Sequence, residues 1–176
     1  VKLRTELLPV NRYSRPGYIR SSVARIVWHW TGAAGQRKET TARYFELIAR
    51  QEPDDGQPDR YASSHYIVDE AGVLQVIPDE EVAYHAGAGW WNLNSIGIEI
   101  CHPDASGRFP LTTLANLLEM SARLCEQYGI RPLTQIVRHH DVTGKLCPRW
   151  FVEHPADYEA ARRIVSEMVT YEVTET

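Results

Sequence analysis

Cysteine is scarce in this chain: Cys101, Cys125 and Cys147 are the only three in 176 residues. With no CxxC pair among them, they form neither a disulfide framework nor a four-cysteine zinc site. Basic charge is not in excess either. Nineteen Lys and Arg stand against 23 Asp and Glu, a formal charge of −4. That argues against a nucleic-acid surface, which needs a positive field. No apolar run approaches the about 18 residues of a membrane span, so membrane insertion is not expected. The HExxH of zincin proteases is missing, and so is the H-x-E with P-C-x-x-C of nucleobase deaminases. The first residues, Val1-Lys2-Leu3-Arg4-Thr5-Glu6, have neither an initiator Met nor the regions of a secretory signal. A processed or shortened chain without a signal peptide is the expectation.

What remains is the composition of a soluble globular protein, 43% hydrophobic and 24% charged, long enough to bury one core. Residues 1–22, with Pro9, Pro16 and Gly17 among polar neighbours, are expected to be an irregular lead-in, and residues 23–176 one domain. The apolar run over 24–30 predicts a buried strand. A helix is predicted from Thr40 or Thr41 to about Arg50, with Tyr44, Leu47 and Ile48 on its inner face. Residues 52–60 read as a solvated loop. Residues 65–69 and 73–77 read as a hairpin around Glu70-Ala71-Gly72, and 84–94 as a loop rich in Gly and Trp. Ile96, Ile98 and Ile100 alternate with Gly97, Glu99 and Cys101, the period of a strand. A helix from Thr112 or Thr113 to Tyr128 closes on Gly129. A strand over 134–139 and a last helix from Pro155 follow, the latter with Tyr158, Ala161, Ile164, Val165 and Met168 inward. Strands interspersed with long helices predict an α/β fold, a single mixed β-sheet flanked by helices.

Chemistry concentrates in Val137-Arg138-His139-His140-Asp141 through Lys145-Leu146-Cys147-Pro148. A distant His29 ends the strand Ile26-Val27-Trp28-His29-Trp30. His29 and His139 both fall at C-terminal strand ends, where open α/β sheets place their sites. Two imidazoles and a thiolate would be three ligands for a catalytic zinc that keeps a fourth position open. His139 and His140 compete for the ligand place, and strand parity does not choose between them. Glu99 is either the polar side of a half-exposed strand or a carboxylate facing a cleft over the metal. Lys145 is either a solvated charge or a cation aimed at a forming oxyanion. Cys101 and Cys125 read as buried, inert thiols.

Five ordered motifs then resemble the type-2 N-acetylmuramoyl-L-alanine amidases, the class of phage endolysins and bacterial autolysins related to the peptidoglycan-recognition proteins. They are Ile-Val-Trp-His29-Trp-Thr, Ser63-Ser64-His65-Tyr66-Ile67-Val68-Asp69, Ala83-Tyr84-His85-Ala86-Gly87, Asn94-Ser95-Ile96-Gly97-Ile98-Glu99, and His139 with Lys145-Leu146-Cys147-Pro148. They run over about residues 24 to 168. The resemblance implies the zinc amidase fold, with 23–176 as the catalytic domain. It implies one Zn2+ held by His29, His139 and Cys147, with Glu99 and Lys145 as catalytic residues. It implies substrate contacts from His65, His85, Trp90, Trp91 and Asn94. Some relatives carry a tyrosine where this chain has Ser64, which leaves Glu99 as the base.

The implied substrate is peptidoglycan, a glycan strand with its stem peptide. The implied reaction is hydrolysis of the amide between N-acetylmuramic acid and L-alanine. Such a domain is expected to be monomeric, to act at the bacterial cell wall after secretion or host lysis, and to accompany a separate wall-binding module. The alternative is a non-catalytic peptidoglycan-recognition module. Non-catalytic relatives typically lose the cysteine, which this chain keeps. A muropeptide-recycling amidase would have a carboxylate in place of Cys147.

Overall fold

The computed structural model describes residues 1–20, 22–52, 56, 58–87 and 89–169. In chain order the first half runs β1 (Leu3–Thr5), β2 (Arg25–Trp30), α1 (Lys38–Ile48), β3 (Tyr66–Asp69) and β4 (Gly72–Gln75). Then come α2 (Gly89–Asn94), β5 (Ser95–Ile100), α3 (Leu111–Tyr128) and α4 (Pro132–Gln135). The chain continues with β6 (Ile136–Arg138), α5 (His139–Thr143), α6 (Arg149–Glu153) and α7 (Pro155–Met168).

The strands form one sheet in the order β1-β4-β3-β5-β2-β6. Only the β3–β4 hairpin is antiparallel; the other pairs are parallel. This is the expected mixed sheet flanked by helices. The lead-in departs from the expectation at Leu3–Thr5. Leu3–Thr5 pair with Val73–Gln75, so the lead-in supplies an edge strand. Three residues are too few for a periodic signal, and only the partner strand reveals them.

Alternation sorts each strand between two faces. Ile96, Ile98 and Ile100 of β5, Ile26 and Trp28 of β2, and Tyr66 and Val68 of β3 join one apolar cluster. Leu117, Leu118 and Leu124 of α3, Phe151 of α6 and Tyr158, Ala161 and Val165 of α7 close over them. The Trp28 ring meets Phe151 at 5.5 Å and Tyr158 at 6.0 Å, and its indole N–H donates to Ser121 Oγ at 3.1 Å. Gly129 ends α3 at φ 64°, the left-handed C-terminal position.

The other face carries a smaller cluster of Ile67, Leu74, Val76 and Ile77 under Phe45 and Ile48 of α1. Thus α1 turns Thr41, Phe45 and Ile48 inward. Tyr44 and Leu47, expected inside, are exposed. In α7 the buried residues are Tyr158, Ala161 and Val165, while Ile164 and Met168 are exposed. The expected loop over 52–60 lies partly outside the described residues, as does the C-terminal end of the 23–176 domain.

Candidate active site

Three adjacent parallel strands bring the site together. In the β2–β5 register His29 stands opposite Glu99, and in the β2–β6 register Trp28 stands opposite Arg138. One step beyond, His139 therefore comes level with His29. In-register residues of parallel neighbours point to the same side, so His29 and Glu99 share the face away from α3 and α7. The row lies at the C-terminal ends of the strands.

Local structure chooses between His139 and His140. β6 stops at Arg138, and the Asp141 carboxylate accepts from the Arg138 backbone N–H at 2.8 Å and from its guanidinium at 2.6 Å. That turn starts α5 at His139, so strand parity no longer applies. Gly144, at φ 77°, ends α5, and the loop doubles back until the His140 N–H donates to the Cys147 carbonyl at 2.8 Å. His140 turns its Nδ1 toward the Lys145 carbonyl at 3.0 Å. His139 is left facing His29, with the Cys147 side chain folded in beneath.

The resulting group is compact. His29 Nδ1 lies 3.1 Å from His139 Nδ1 and 3.9 Å from Cys147 Sγ. One donor atom from each of the three lies within 4.8 Å of the others. Such a set of two imidazole nitrogens and one sulfur can hold a metal ion, and its chemistry suits zinc better than a hard cation. Burial pushes the Cys147 thiol up to about 12, with the Glu99 charge adding to it. It also brings His139 down to about 4, helped by the Lys145 charge, and His29 well below its ordinary value. Burial thus keeps both imidazoles neutral, with lone pairs available. The Trp30 backbone N–H and the Lys145 charge act on the sulfur in the opposite sense, favouring the thiolate.

Glu99 is the other member. Its Oε2 is buried and has no hydrogen-bond partner among the described residues. Burial raises its carboxyl to about 8, against the pull of Lys145. A buried carboxylate oxygen without a partner is costly, and a cation in the adjacent group offsets that cost. This is the observation by which the residues fit a metal.

An open cleft of about 360 Å³ lies over the group. His29, His139, Cys147, Glu99, Lys145 and His85 line it, with a wall of Tyr44, Tyr61 and Tyr84. The tyrosines were not expected there. Tyr84 stands beside His85 in a quoted motif, which was the one available signal. Tyr61 and Tyr84 meet edge to face at 5.6 Å.

Four expected contacts are placed elsewhere. Trp90, Trp91 and Asn94 lie on α2 and do not line the cleft. The Trp90 and Trp91 rings pack edge to face at 5.1 Å, while Asn94 Nδ2 donates back to the Trp90 carbonyl at 2.8 Å. His65 is fully buried. Its Nδ1 accepts from the Gly97 N–H at 3.0 Å, and its Nε2 lies 3.0 Å from the Glu81 carbonyl and against Arg20. With both ring nitrogens engaged and no surface, His65 is a structural residue. Cys101 and Cys125 are buried free thiols, as expected.

A mixed α/β sheet that carries a buried two-histidine, one-cysteine group beneath an open cleft defines a domain built around a group that could hold a metal ion. Residues 20–150 match the Amidase_2 family, described as N-acetylmuramoyl-L-alanine amidase. The chain belongs to this family. A probable N-acetylmuramoyl-L-alanine amidase of Bacillus licheniformis is 34% identical over 96% of this chain and 48% of its own length. The amidase BlyA of Bacillus subtilis (strain 168) is 33% identical over 84% of this chain and 42% of its own. The chain thus spans about half the length of the curated relatives it matches. Among solved structures, the catalytic domain of XlyA superposes with a TM-score of 0.74 at 31% identity, covering 92% of this chain and 99% of that one. PlyL superposes at 0.77 with 22% identity, over 97% of this chain and 100% of that one, which speaks to the fold alone.

Proposed function

We propose that residues 23–176 form a zinc-dependent catalytic domain that hydrolyses the amide between N-acetylmuramic acid and L-alanine in peptidoglycan. The observation that carries this reading is the convergence of His29, His139 and Cys147 beside the partnerless carboxylate oxygen of Glu99, within a family whose named members are amidases.

His29, His139 and Cys147 would hold the ion through Nδ1, Nδ1 and Sγ. Zinc, when bound, supplies a Lewis acid that polarises the scissile carbonyl and acidifies water to near neutrality. Glu99 is the general base. Its carboxyl, held up to about 8 by burial, would be drawn toward the ionised form at neutral pH by a divalent charge in the adjacent group. It takes one proton from the attacking water as the new C–O bond forms. It then delivers that proton to the alanine nitrogen as the C–N bond breaks. Lys145, on the cleft wall, sets its ammonium charge against the developing oxyanion, a contribution of about 3–4 kcal/mol.

The cleft is open, as a polymer requires, and its tyrosine wall offers flat apolar faces to sugar or peptide. We read the domain as a monomer acting at the bacterial cell wall, reached by secretion or host lysis. Its relatives are about twice as long, in keeping with a separate wall-binding module. No described helix is long and apolar enough to cross a membrane.

Purified peptidoglycan digested with zinc-loaded protein and analysed by mass spectrometry tests the reading. Free alanine amines on uncut glycan are expected, lost with a chelator and restored by zinc. New reducing ends would mean a glycosidase instead. Wall that is bound but uncut would mean a recognition module.

A further inference from the structure

His85 lines the cleft, yet it has no ring nitrogen left for a substrate. Its Nε2 lies 3.2 Å from the Ser95 carbonyl and 3.3 Å from Ser95 Oγ. The Ser95 hydroxyl itself donates to the Trp91 carbonyl at 2.5 Å, so Oγ offers Nε2 only a lone pair. Both neighbours of Nε2 are acceptors, and Nε2 must therefore carry the proton. The ring is buried, which disfavours a second proton, so Nδ1 presents a lone pair. That lone pair faces His29 Nε2 at 3.0 Å.

We propose that His85 is a positioning residue that holds His29 in its Nε2–H form, so that the Nδ1 lone pair faces His139 and Cys147 before any metal arrives. The Trp91 and Ser95 carbonyls anchor the chain of bonds, and the His29 lone pair is its outcome. Ligating histidines are commonly oriented this way by their second nitrogen. In the metal-free protein the 3.1 Å contact between the two Nδ1 atoms is then a bond donated by His139. To offer Nδ1 to a metal, His139 would have to carry that proton on Nε2 instead, whereas His29 would need no change. Gly97 makes the arrangement possible, because a Cβ there would stand 2.6 Å from His85 Cγ.

The inference rests on His29, His139 and Cys147 as the ligands, and its test does not involve peptidoglycan. Long-range proton–nitrogen NMR of the wild-type histidines should show His29 protonated at Nε2 with and without zinc, and His139 losing its Nδ1 proton on loading. A His29 protonated at Nδ1 in the metal-free protein would overturn the proposal without any variant. Zinc affinity, measured by competition with a chromophoric chelator, should fall about 10- to 100-fold in His85→Leu. His85→Asn, whose amide oxygen stands near the place of Nδ1, should recover most of that loss. Wild-type affinity in His85→Leu, or an Asn variant no better than Leu, would refute a positioning role. A wild-type protein that takes up no zinc would bring down the ligand assignment, and this inference with it.

Discussion

The two faces of the one sheet are built from the same six strands and do opposite things. Toward α3 and α7, β5 presents Ile96, Ile98 and Ile100, β2 presents Ile26 and Trp28, and aromatic rings close the layer. Toward the cleft, the intervening positions are Gly97, Glu99 and His29, with His85 packed against the glycine. One face is a finished apolar core. The other keeps a smaller apolar cluster at β3 and β4 and, at the ends of β2 and β5, holds three imidazoles, a thiol and a carboxyl that burial keeps neutral. A two-residue period thus lets a single strand contribute to stability on one side and to chemistry on the other. The buried polar groups of the cleft side cost folding energy that the apolar clusters offset.

Substitutions on each face should separate these roles. The largest effect is expected on the cleft side: Glu99→Gln should lower turnover about 10²- to 10⁴-fold while zinc content stays at one per chain. Turnover within a few-fold of wild type would remove Glu99 from the mechanism. On the helix side, Leu117→Ala should cost about 2–5 kcal/mol in denaturant unfolding, with zinc content and turnover of the folded protein unchanged. A loss of zinc in that variant would show that the faces are not independent. Gly97→Ala should affect both, because its methyl displaces His85. About 1–3 kcal/mol of stability should be lost together with zinc affinity.

A smaller effect comes from the Glu99 proton. The folded, metal-free protein keeps it up to about 8 against an ordinary 4.5. The folded state binds more protons than the unfolded chain across that window, so this group's contribution is full below 4.5 and is lost as pH rises toward 8. Glu99→Gln removes the loss. Metal-free stability at pH 8 should therefore rise relative to wild type, with no difference near pH 4.5. Equal unfolding curves at both pH values would show that Glu99 is not desolvated. The smallest effect is expected at the cleft wall. Tyr61→Ala should raise KM about three- to tenfold with kcat unchanged, on the order of 1 kcal/mol; an unaltered KM would exclude the ring from substrate contact.

Much of the helix-side face could be read in advance. Ile96, Ile98 and Ile100 announced β5, and Leu117, Leu118 and Leu124 announced α3 with Gly129 at its end. Where apolar residues stand side by side the reading failed. Tyr44 and Phe45, like Leu47 and Ile48, offer α1 two stripes one residue apart. Packing against Ile67 and Leu74 chose Phe45 and Ile48, which freed Tyr44 for the cleft. The cleft-side face was less legible. The resemblance pointed to His29, Glu99, His139, Lys145 and Cys147, and the structure brings these five to one cleft. The same motifs also suggested that His65 and His85 touch substrate. Both are buried with their ring nitrogens engaged, and no local pattern separates a histidine that lines a cleft from one that supports it.

The amino-acid order by itself determined the alternation of each strand, the stripes and ends of the long helices, and the placing of donor groups at strand ends. These are local matters, governed by backbone geometry and by the exclusion of apolar side chains from water. Tertiary structure alone decided that His29 stands level with Glu99 and His139, that Cys147 folds back to meet them, and that Leu3–Thr5 complete the sheet. Register between strands far apart in the chain is fixed by the packing of whole elements, and no single stretch of residues contains it.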